Sequence, residues 1–220
     1  MSHRALKNLL YEQVTRIAKA TANAKRLELI EILCQGEKSV EQLAADAEIS
    51  VKLTSAHLKE LRQARLVETR REGRNVFYSL VDRHVADFWV MLRSLAEERL
   101  LELQAATRDL AARPDELAPM DRTRLLEQAR RGEVIVIDVR PDSEYSTAHL
   151  PHARSIPLSE LKSRLGEIPP DRPVVAYCRG PFCVMAKEAV EIMSREGIKA
   201  MRMEDGVAEW RMLGLPLESA

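Results

Sequence analysis

Apolar residues recur at helical spacing in the first half of the chain, with polar residues between them. Residues 39–48 begin like a capped helix, because Ser39 is followed three positions later by Gln42, the arrangement of a capping box. Residues 51–62 place leucines near one face and hydrogen-bonding groups on the others. The pattern predicts two helices joined by a short turn. The apolar positions of the second helix are Leu53, Leu58 and Leu61.

Alternation of apolar and polar positions follows these helices. Residues 66–70 and 76–80 both alternate in this way, which is typical of half-buried strands. Residues 71–75 contain Gly73 and Asn75 among arginines, and glycine and asparagine suit a tight turn. The pattern predicts a β-hairpin that forms the wing of a winged helix-turn-helix unit.

Positive charge is concentrated in this segment. The whole chain is neutral, with 34 basic and 34 acidic residues, whereas residues 50–80 hold seven basic residues against three acidic ones. Concentrated charge is what phosphate binding requires, although a solvated helix face has the same composition. The candidate DNA-binding residues are Ser50, Lys52, Thr54, Ser55, His57, Lys59, Arg70, Arg71 and Arg74.

The order of elements over residues 1–112 resembles an ArsR-family winged helix-turn-helix repressor. The strings Ser55-Ala56-His57-Leu58 and Arg71-Glu72-Gly73-Arg74 carry the resemblance. It implies a mainly helical α+β domain that binds double-stranded operator DNA with an inverted repeat. In a two-fold dimer the recognition helices enter successive major grooves about 34 Å apart. Arg65 departs from the family pattern, which commonly has glycine there.

Both flanks of this unit carry surplus apolar surface. Residues 85–112 contain no Gly or Pro and read as one helix too long to be buried within so small a domain. Its partner is a second copy of the chain, giving a homodimer, the C-terminal domain of the same chain, or both along the length of the helix. A second stripe lies on the predicted N-terminal helix and comprises Leu6, Leu9, Leu10, Val14, Ile17 and Ala18.

Metal ligands are scarce in this half. Cys34 is its single cysteine, residues 39–48 contain neither Cys nor His, and Asp82 and His84 have no second histidine further along their helix. A four-ligand zinc site needs more than this. The sequence therefore predicts no metal and no cofactor, and a core-packing role for Cys34.

The second half contains a candidate reactive thiol. Residues 174–177 form a β-prone run that delivers Cys178 into a Gly/Pro loop, and residues 184–196 then read as a helix ended by Gly197. Unpaired amides at a helix N-terminus hold anions, and such surroundings lower a thiol pKa from about 8.5 to roughly 3.5–7.5. The alternative is that Cys178 is a small buried hydrophobic residue at a strand end.

Residues 120–217 resemble a rhodanese domain. The resemblance implies an α/β fold with a central parallel sheet, and a sulfane sulfur carried on Cys178 as a persulfide. It also implies structural roles for Asp138, Arg140 and Trp210. The loop whose amides would cradle the outer sulfur is Arg179, Gly180, Pro181, Phe182, Cys183 and Val184. The segments that carry the resemblance are 134–140, Glu144-Tyr145, 149–153, Cys178 and 205–210.

Several positions depart from the rhodanese pattern. His152 and Asp205 stand where glycine is usual, and Pro181 removes one amide from the cradle. Cys183 replaces a polar or basic residue, which favours a small persulfide or polysulfide over thiosulfate as the sulfur donor. Cys183 is either a resolving thiol that forms a disulfide or trisulfide with Cys178, or a small apolar residue at the helix start.

The chain is long enough for two domains. The predicted domains are residues 1–112 and 121–220, joined by a linker at 113–120 that is rich in proline and acidic residues. No run approaches the ~20 apolar residues that span a bilayer, so no membrane partner is expected. Three cysteines in 220 residues suit a reducing compartment, which predicts a cytoplasmic protein.

Three hypotheses for function follow. In the first, a dimeric repressor releases DNA when its rhodanese domain receives sulfane sulfur on Cys178. In the second, the rhodanese domain is a working sulfurtransferase that the DNA-binding domain only localises. In the third, the rhodanese domain is an inert interaction module and Cys178 is unused.

Overall fold

The computed structural model describes residues 1–111 and 121–220. Contacts divide the chain into two units, Met1–Trp89 and Val90–Ala220. The predicted linker, residues 113–120, lies outside the described residues. The domain boundaries derived from the sequence therefore stay a prediction.

The first unit is a winged helix-turn-helix fold. Its three strands form an antiparallel sheet in the order β1-β3-β2, with the predicted wing as the β2–β3 hairpin. Its elements in chain order are α1 (His3–Thr21), α2 (Ala24–Leu33), β1 (Lys38–Ser39), α3 (Val40–Asp46), α4 (Val51–Gln63), β2 (Val67–Glu72), β3 (Asn75–Leu80) and α5 (Arg83–Arg99), which continues past the boundary at Trp89.

Local sequence signals explain the boundaries of α3, α4 and the wing. Ser39 and Gln42 form the predicted capping box at the start of α3, and the Ser50 hydroxyl caps α4 by accepting from the Leu53 amide. In the wing, Gly73 takes a φ of +59°, which the first position of a two-residue II′ turn requires. Short-range hydrogen bonds therefore determine where these elements begin and turn.

The buried face of α4 differs from the predicted one. Leu58 and Leu61 are fully buried as expected, but Leu53 is 44% exposed. Thr54 is fully buried instead. It lies four residues before Leu58 and seven before Leu61, which is the helical spacing of one face. Its hydroxyl donates to the Ser50 carbonyl at 3.0 Å, which satisfies the polar group inside the core.

The second unit is an α/β fold around a parallel sheet in the order β5-β4-β6-β7. The helix predicted over 85–112 is interrupted at Leu100, so that α5 and α6 are separate. The remaining elements are α6 (Leu101–Ala111), α7 (Arg122–Arg130), β4 (Ile135–Asp138), α8 (Asp142–Thr147), β5 (Arg154–Ser155), α9 (Leu158–Arg164), a 3₁₀ turn (Leu165–Glu167), β6 (Val174–Tyr177), α10 (Met185–Arg195), β7 (Ala200–Arg202) and α11 (Val207–Met212).

Both faces of this sheet are buried. Val174, Ala176 and Cys178 face a core shared with α9 and α10, whereas Val175 and Tyr177 face a core that includes Trp210 of α11. Burial on both faces explains why these strands read as continuous apolar runs. Because β4 and β6 are parallel, their carboxyl ends meet at one edge of the sheet, where the cysteine loop begins.

Arg65 and His152 stand where the two families commonly have glycine, and both have a left-handed backbone conformation. Arg65, after the end of α4, takes a φ of +60°, and His152, before β5, takes a φ of +64°. This left-handed region is one that L side chains rarely adopt. The backbone keeps the glycine-like conformation at both positions although the side chains are bulky.

Candidate functional site

The exposed surface of α4 and the wing holds most of the predicted DNA-binding residues. His57 is half-buried, and Ser50 is exposed and also serves as the helix cap. Thr54 lies in the core and presents nothing to a ligand. The remaining exposed candidates are Lys52, Ser55, Lys59, Arg70, Arg71 and Arg74.

Arg70 differs from its neighbours because its guanidinium is engaged within the wing. Its Nε and Nη2 donate to the Glu37 carboxylate at 3.1 and 2.7 Å, and its Nη1 donates to Glu72 at 2.7 Å. The guanidinium also lies 5.0 Å above the ring of Phe77. Hydrogen bonds to Glu37 and Glu72 raise the pKa of Arg70 above its ordinary value. Arg70 therefore braces the wing, and its charge is already balanced.

Arg71 and Arg74 remain available at the hairpin. Within the described part of the chain, neither side chain makes a hydrogen bond or an ion pair, and both are exposed. An uncompensated arginine on a protruding hairpin is suited to a phosphate contact. The wing thus combines one arginine that holds its shape with two that can bind.

The cysteine loop lies at the carboxyl end of β6. Cys178 is buried, and its sulfur forms a disulfide with Cys183, five positions further along. The two Cα atoms are 6.4 Å apart, within the usual range for a disulfide. The loop turns tightly between them, with the Cys183 amide donating to the Gly180 carbonyl at 3.1 Å. The structure therefore represents the loop in its oxidised form.

The predicted cradle is partly available at the start of α10. Val184 occupies the N-cap position of α10 and provides no side-chain cap, so the first helix amides are free of a capping side chain. Gly180 and Pro181 are buried, whereas Phe182 and Cys183 are half-buried and Val184 is exposed. An anion beside Cys183 would meet the positive end of the α10 dipole.

Ion pairs and backbone contacts fasten the loop from several sides. Arg179 forms a two-pronged ion pair with Glu144 of α8, with the shortest contact at 2.6 Å. Arg202 at the end of β7 donates from Nη2 to the Pro181 carbonyl at 2.5 Å. Gly206 approaches so closely that an added Cβ would lie 2.5 Å from the Arg179 carbonyl oxygen, so only glycine fits there.

A buried ion pair lies against the same loop within the second unit. The Arg93 guanidinium is 5.8 Å from the centre of the Phe182 ring, and its Nη1 donates to Glu209 at 2.8 Å. Glu209 in turn accepts from the Gly206 amide at 2.7 Å. Arg93 lies in the part of α5 that belongs to this unit.

The predicted structural residues form a separate buried network. Asp138 accepts from Arg140 at 2.6 Å and from the Tyr177 hydroxyl at 2.5 Å, and both charged side chains are fully buried. Burial raises the pKa of Tyr177 well above its ordinary value. Trp210 is fully buried in the adjoining core. The network stabilises the sheet edge from which the cysteine loop starts.

Sequence reasoning missed Arg93 and Arg202. Arg93 pairs with a residue 116 positions away, a distance that no local pattern reveals. A signal for Arg202 was present, since a charged residue closes the short strand Ala200-Met201-Arg202 at a position that the sheet buries.

The remaining candidates are Cys34, a metal site and a membrane-spanning helix. Cys34 is buried at the end of α2, where core packing was expected. Among the described residues, no group of three or more His, Cys, Asp or Glu side chains is gathered as a metal site would need. In the same part of the chain, no helix is both long enough and apolar enough to cross a membrane.

The fold and the loop define a helix-turn-helix regulator joined to a rhodanese-like domain. The model of the arsR family of bacterial regulatory proteins matches residues 23–69, and that of the rhodanese-like domain matches residues 121–213. Along almost its whole length the chain is similar to the HTH-type transcriptional regulator Rv0324 of Mycobacterium tuberculosis. The two are 40% identical over 212 residues, which cover 96% of this chain and 93% of that protein. The chain therefore belongs to the ArsR-family transcriptional regulators that carry a C-terminal rhodanese-like domain.

Two further similarities each cover one half of the chain. A sulfurtransferase of Allochromatium vinosum is 29% identical over 86 residues, which cover 39% of this chain and 78% of that protein. The solution NMR structure of the homodimeric winged helix-turn-helix DNA-binding domain (fragment 1–100) of Mb0332 from Mycobacterium bovis is 36% identical. The match covers 46% of the present chain and 93% of the Mb0332 fragment, with a TM-score of 0.42.

Proposed function

We propose that this regulator is a homodimeric repressor that binds operator DNA and releases it when reactive sulfur oxidises the Cys178–Cys183 pair. The disulfide between these two residues is the observation that carries the proposal. A loop that closes on itself in this way has two chemical states, which a sensor requires. The proposed setting is the cytosol, where free thiols and DNA are both present.

The proposed first step is sulfur transfer to Cys178. Its thiolate attacks the outer sulfur of a small persulfide, R–S–SH, and forms a new S–S bond. The donor's S–S bond breaks, and R–S⁻ leaves with the electron pair. Cys178 then carries –S–SH, so atoms and charge balance. A polysulfide could react in the same way, whereas thiosulfate is disfavoured because Pro181 removes a cradle amide and Cys183 adds no cationic group.

The proposed second step closes the loop. The Cys183 thiolate attacks the inner sulfur on Cys178, the bond to the outer sulfur breaks, and HS⁻ leaves. The product is the Cys178–Cys183 disulfide, and no further oxidant is needed. The Cα separation of 6.4 Å supports this step, since it lies within the range that disulfides span.

The contact of Arg93 with Phe182 supports a route from the loop to α5. Phe182 lies between the two cysteines in sequence, so a change in the loop alters the surface on which the Arg93 guanidinium rests. α5 begins at Arg83, within the first unit. A tenfold change in DNA affinity needs a coupling of about 1.4 kcal/mol, within the range of about 1–3 kcal/mol that is typical of allosteric proteins.

The proposed DNA contacts are the exposed side chains of α4 and the two unengaged wing arginines, Arg71 and Arg74. The proposed dimer is supported by exposed large apolar side chains on α1 and α5, which a second copy of the chain would cover. These residues are Leu6, Leu9, Leu10, Val14, Met91 and Leu95.

The test is the affinity of the reduced full-length protein for its own upstream DNA, with and without a small-molecule persulfide. Wild type, Cys178→Ser and Cys183→Ser are compared, with mass spectrometry of the loop peptide after each reaction. We expect at least tenfold weaker binding of wild type after treatment and no response of Cys178→Ser. Cys183→Ser should stop at the persulfide. If wild type binds DNA equally before and after its disulfide has formed, the sensor proposal is wrong.

A working sulfurtransferase is the second candidate function. It is favoured by Cys178 at the start of a loop beside an uncapped helix N-terminus. Its test is persulfide transfer from the full-length protein to a small acceptor such as cyanide. Cys183→Ser should then sustain turnover, because the persulfide can no longer be lost by ring closure. If Cys178 takes up no sulfur at all, the inert-module hypothesis replaces both.

A further inference from the structure

Arg202 is a buried cation at the edge of the cysteine loop. It closes β7, where its Cα is paired with that of Ala176, two residues before Cys178. Only 3% of Arg202 is exposed, and its Nη2 holds the Pro181 carbonyl. Its Nε is buried and has no hydrogen-bond partner among the described residues. A buried donor without a partner is rare in folded proteins and calls for an explanation.

The nearby carboxylates do not neutralise Arg202. Half-buried Glu204 acts on it only through longer-range attraction, and burial lowers the pKa of the Arg202 guanidinium from its ordinary value. Helix α10 packs against β7 and carries the charged residues Lys187, Glu188, Glu191 and Arg195. The buried carboxylates around the loop each pair with a different arginine: Glu144 with Arg179, Glu209 with Arg93 and Asp205 with Arg122.

We propose that Arg202 is a positioning residue whose charge stabilises the anionic sulfur of the reduced or persulfidated loop relative to the disulfide. Pro181, whose carbonyl accepts from Arg202, lies between Cys178 and Cys183 in sequence, so the guanidinium contacts the segment that joins the two cysteines. In the disulfide both sulfurs are neutral, and among the described residues the carboxylate that attracts the cation is Glu204, without a direct ion pair. A thiolate or persulfide anion would add a negative charge.

The proposal rests on the proposed function only in that the two cysteines act as a redox pair. Glutathione is a suitable reductant for the Cys178–Cys183 disulfide. Two glutathione molecules supply two electrons and leave as glutathione disulfide, while the Cys178–Cys183 bond breaks. The loop gains one thiolate and one thiol, and the remaining proton goes to solvent. A cation that stabilises the thiolate therefore makes the loop easier to reduce.

The test compares Arg202→Gln and Arg202→Lys in the full-length protein. Glutamine keeps a donor for Pro181 but removes the charge, whereas lysine keeps the charge. The thiol pKa is read from the pH dependence of iodoacetamide alkylation at Cys178 and Cys183, and the loop's reduction potential from glutathione redox buffers. Arg195→Gln is the matched control, because Arg195 is an exposed arginine in the last turn of α10.

We expect Arg202→Gln to raise the lower thiol pKa by about one unit and to make the disulfide about tenfold harder to reduce, or about 30 mV more negative. Arg202→Lys and Arg195→Gln should stay close to wild type. The proposal is overturned if Arg202→Gln matches wild type, or if Arg202→Lys raises the pKa by a full unit. The lysine variant also decides the matter if the glutamine variant does not fold.

These measurements need no DNA. A shifted thiol pKa in a protein whose DNA binding ignores persulfide would refute the sensor function and leave the role of Arg202 intact. If the thiol pKa of Arg202→Gln is unshifted but the wild-type protein releases DNA after persulfide treatment, the role of Arg202 is refuted and the sensor function stands.

Discussion

The α4–wing surface and the cysteine loop use arginine in opposite ways. On the wing, Arg71 and Arg74 are exposed and unengaged within the described residues, so their charge is available to a ligand. Around the loop, Arg93, Arg140 and Arg202 are buried, and they hold carboxylates or backbone carbonyls of the protein itself. A substitution on the wing should therefore affect binding, whereas one near the loop should first affect stability or thiol chemistry.

The largest expected effect lies in the buried network beneath the loop. Asp138→Asn leaves Arg140 buried without its counter-ion, and we expect a loss of roughly 3–5 kcal/mol in the free energy of unfolding, measured in urea. Glu72→Gln on the wing removes an exposed carboxylate and should change stability by less than about 0.5 kcal/mol. Equal losses of unfolding free energy in Asp138→Asn and Glu72→Gln would contradict the contrast between the buried loop network and the exposed wing.

The wing arginines should separate by their dependence on salt. Arg71→Gln should weaken binding to all DNA sequences and lower the slope of log affinity against log salt by about 1, because one phosphate contact is lost. Arg70→Gln should leave that slope nearly unchanged, since Arg70 is paired with Glu37 and Glu72. Both are measured by titrating labelled upstream DNA at several salt concentrations. A slope that falls equally in both variants would show that Arg70 is not held in the wing.

Phe182 tests whether the loop is coupled to α5. Phe182→Leu removes the aromatic face under the Arg93 guanidinium, a contact worth about 0.5–2 kcal/mol. We expect a stability loss of that size and a smaller change in DNA affinity upon persulfide treatment than in wild type. Binding by the reduced variant should match wild type. An undiminished persulfide response would exclude this contact as the route.

Arg65 in the first unit and His152 in the second both have a left-handed backbone, and substitution by glycine should affect them alike. Arg65→Gly and His152→Gly remove side chains from a backbone conformation that glycine adopts freely, so each should stabilise the protein by up to about 1 kcal/mol. Arg62→Gly within α4 is the control and should destabilise by a similar amount. Thermal unfolding of the three variants distinguishes backbone strain from loss of the side chain.

Local signals in the sequence predicted both folds well. The capping box at Ser39, the wing turn at Gly73 and the β-prone run before Cys178 all depend on residues a few positions apart. The buried face of α4 was harder, because Thr54 has the right spacing but a polar side chain. Its hydroxyl bonds to the helix backbone, so burial costs little, and a pattern based on residue type selects Leu53 instead.

The sequence by itself predicted the wing and the strand, loop and helix around Cys178, because short-range periodicity, capping and turn residues encode them, and its resemblance to two families predicted the two fold classes. Only the tertiary structure decided which arginines are exposed and which are buried. Arg70 and Arg71 are adjacent in sequence, yet Glu37, 33 positions from Arg70, binds Arg70, whereas Arg71 has no hydrogen bond or ion pair to any residue that the structure describes. Arg93 and Arg202 likewise gain their roles from distant partners. Such pairings form when the chain folds back on itself, so the residues next to an arginine do not reveal which partner it will bind.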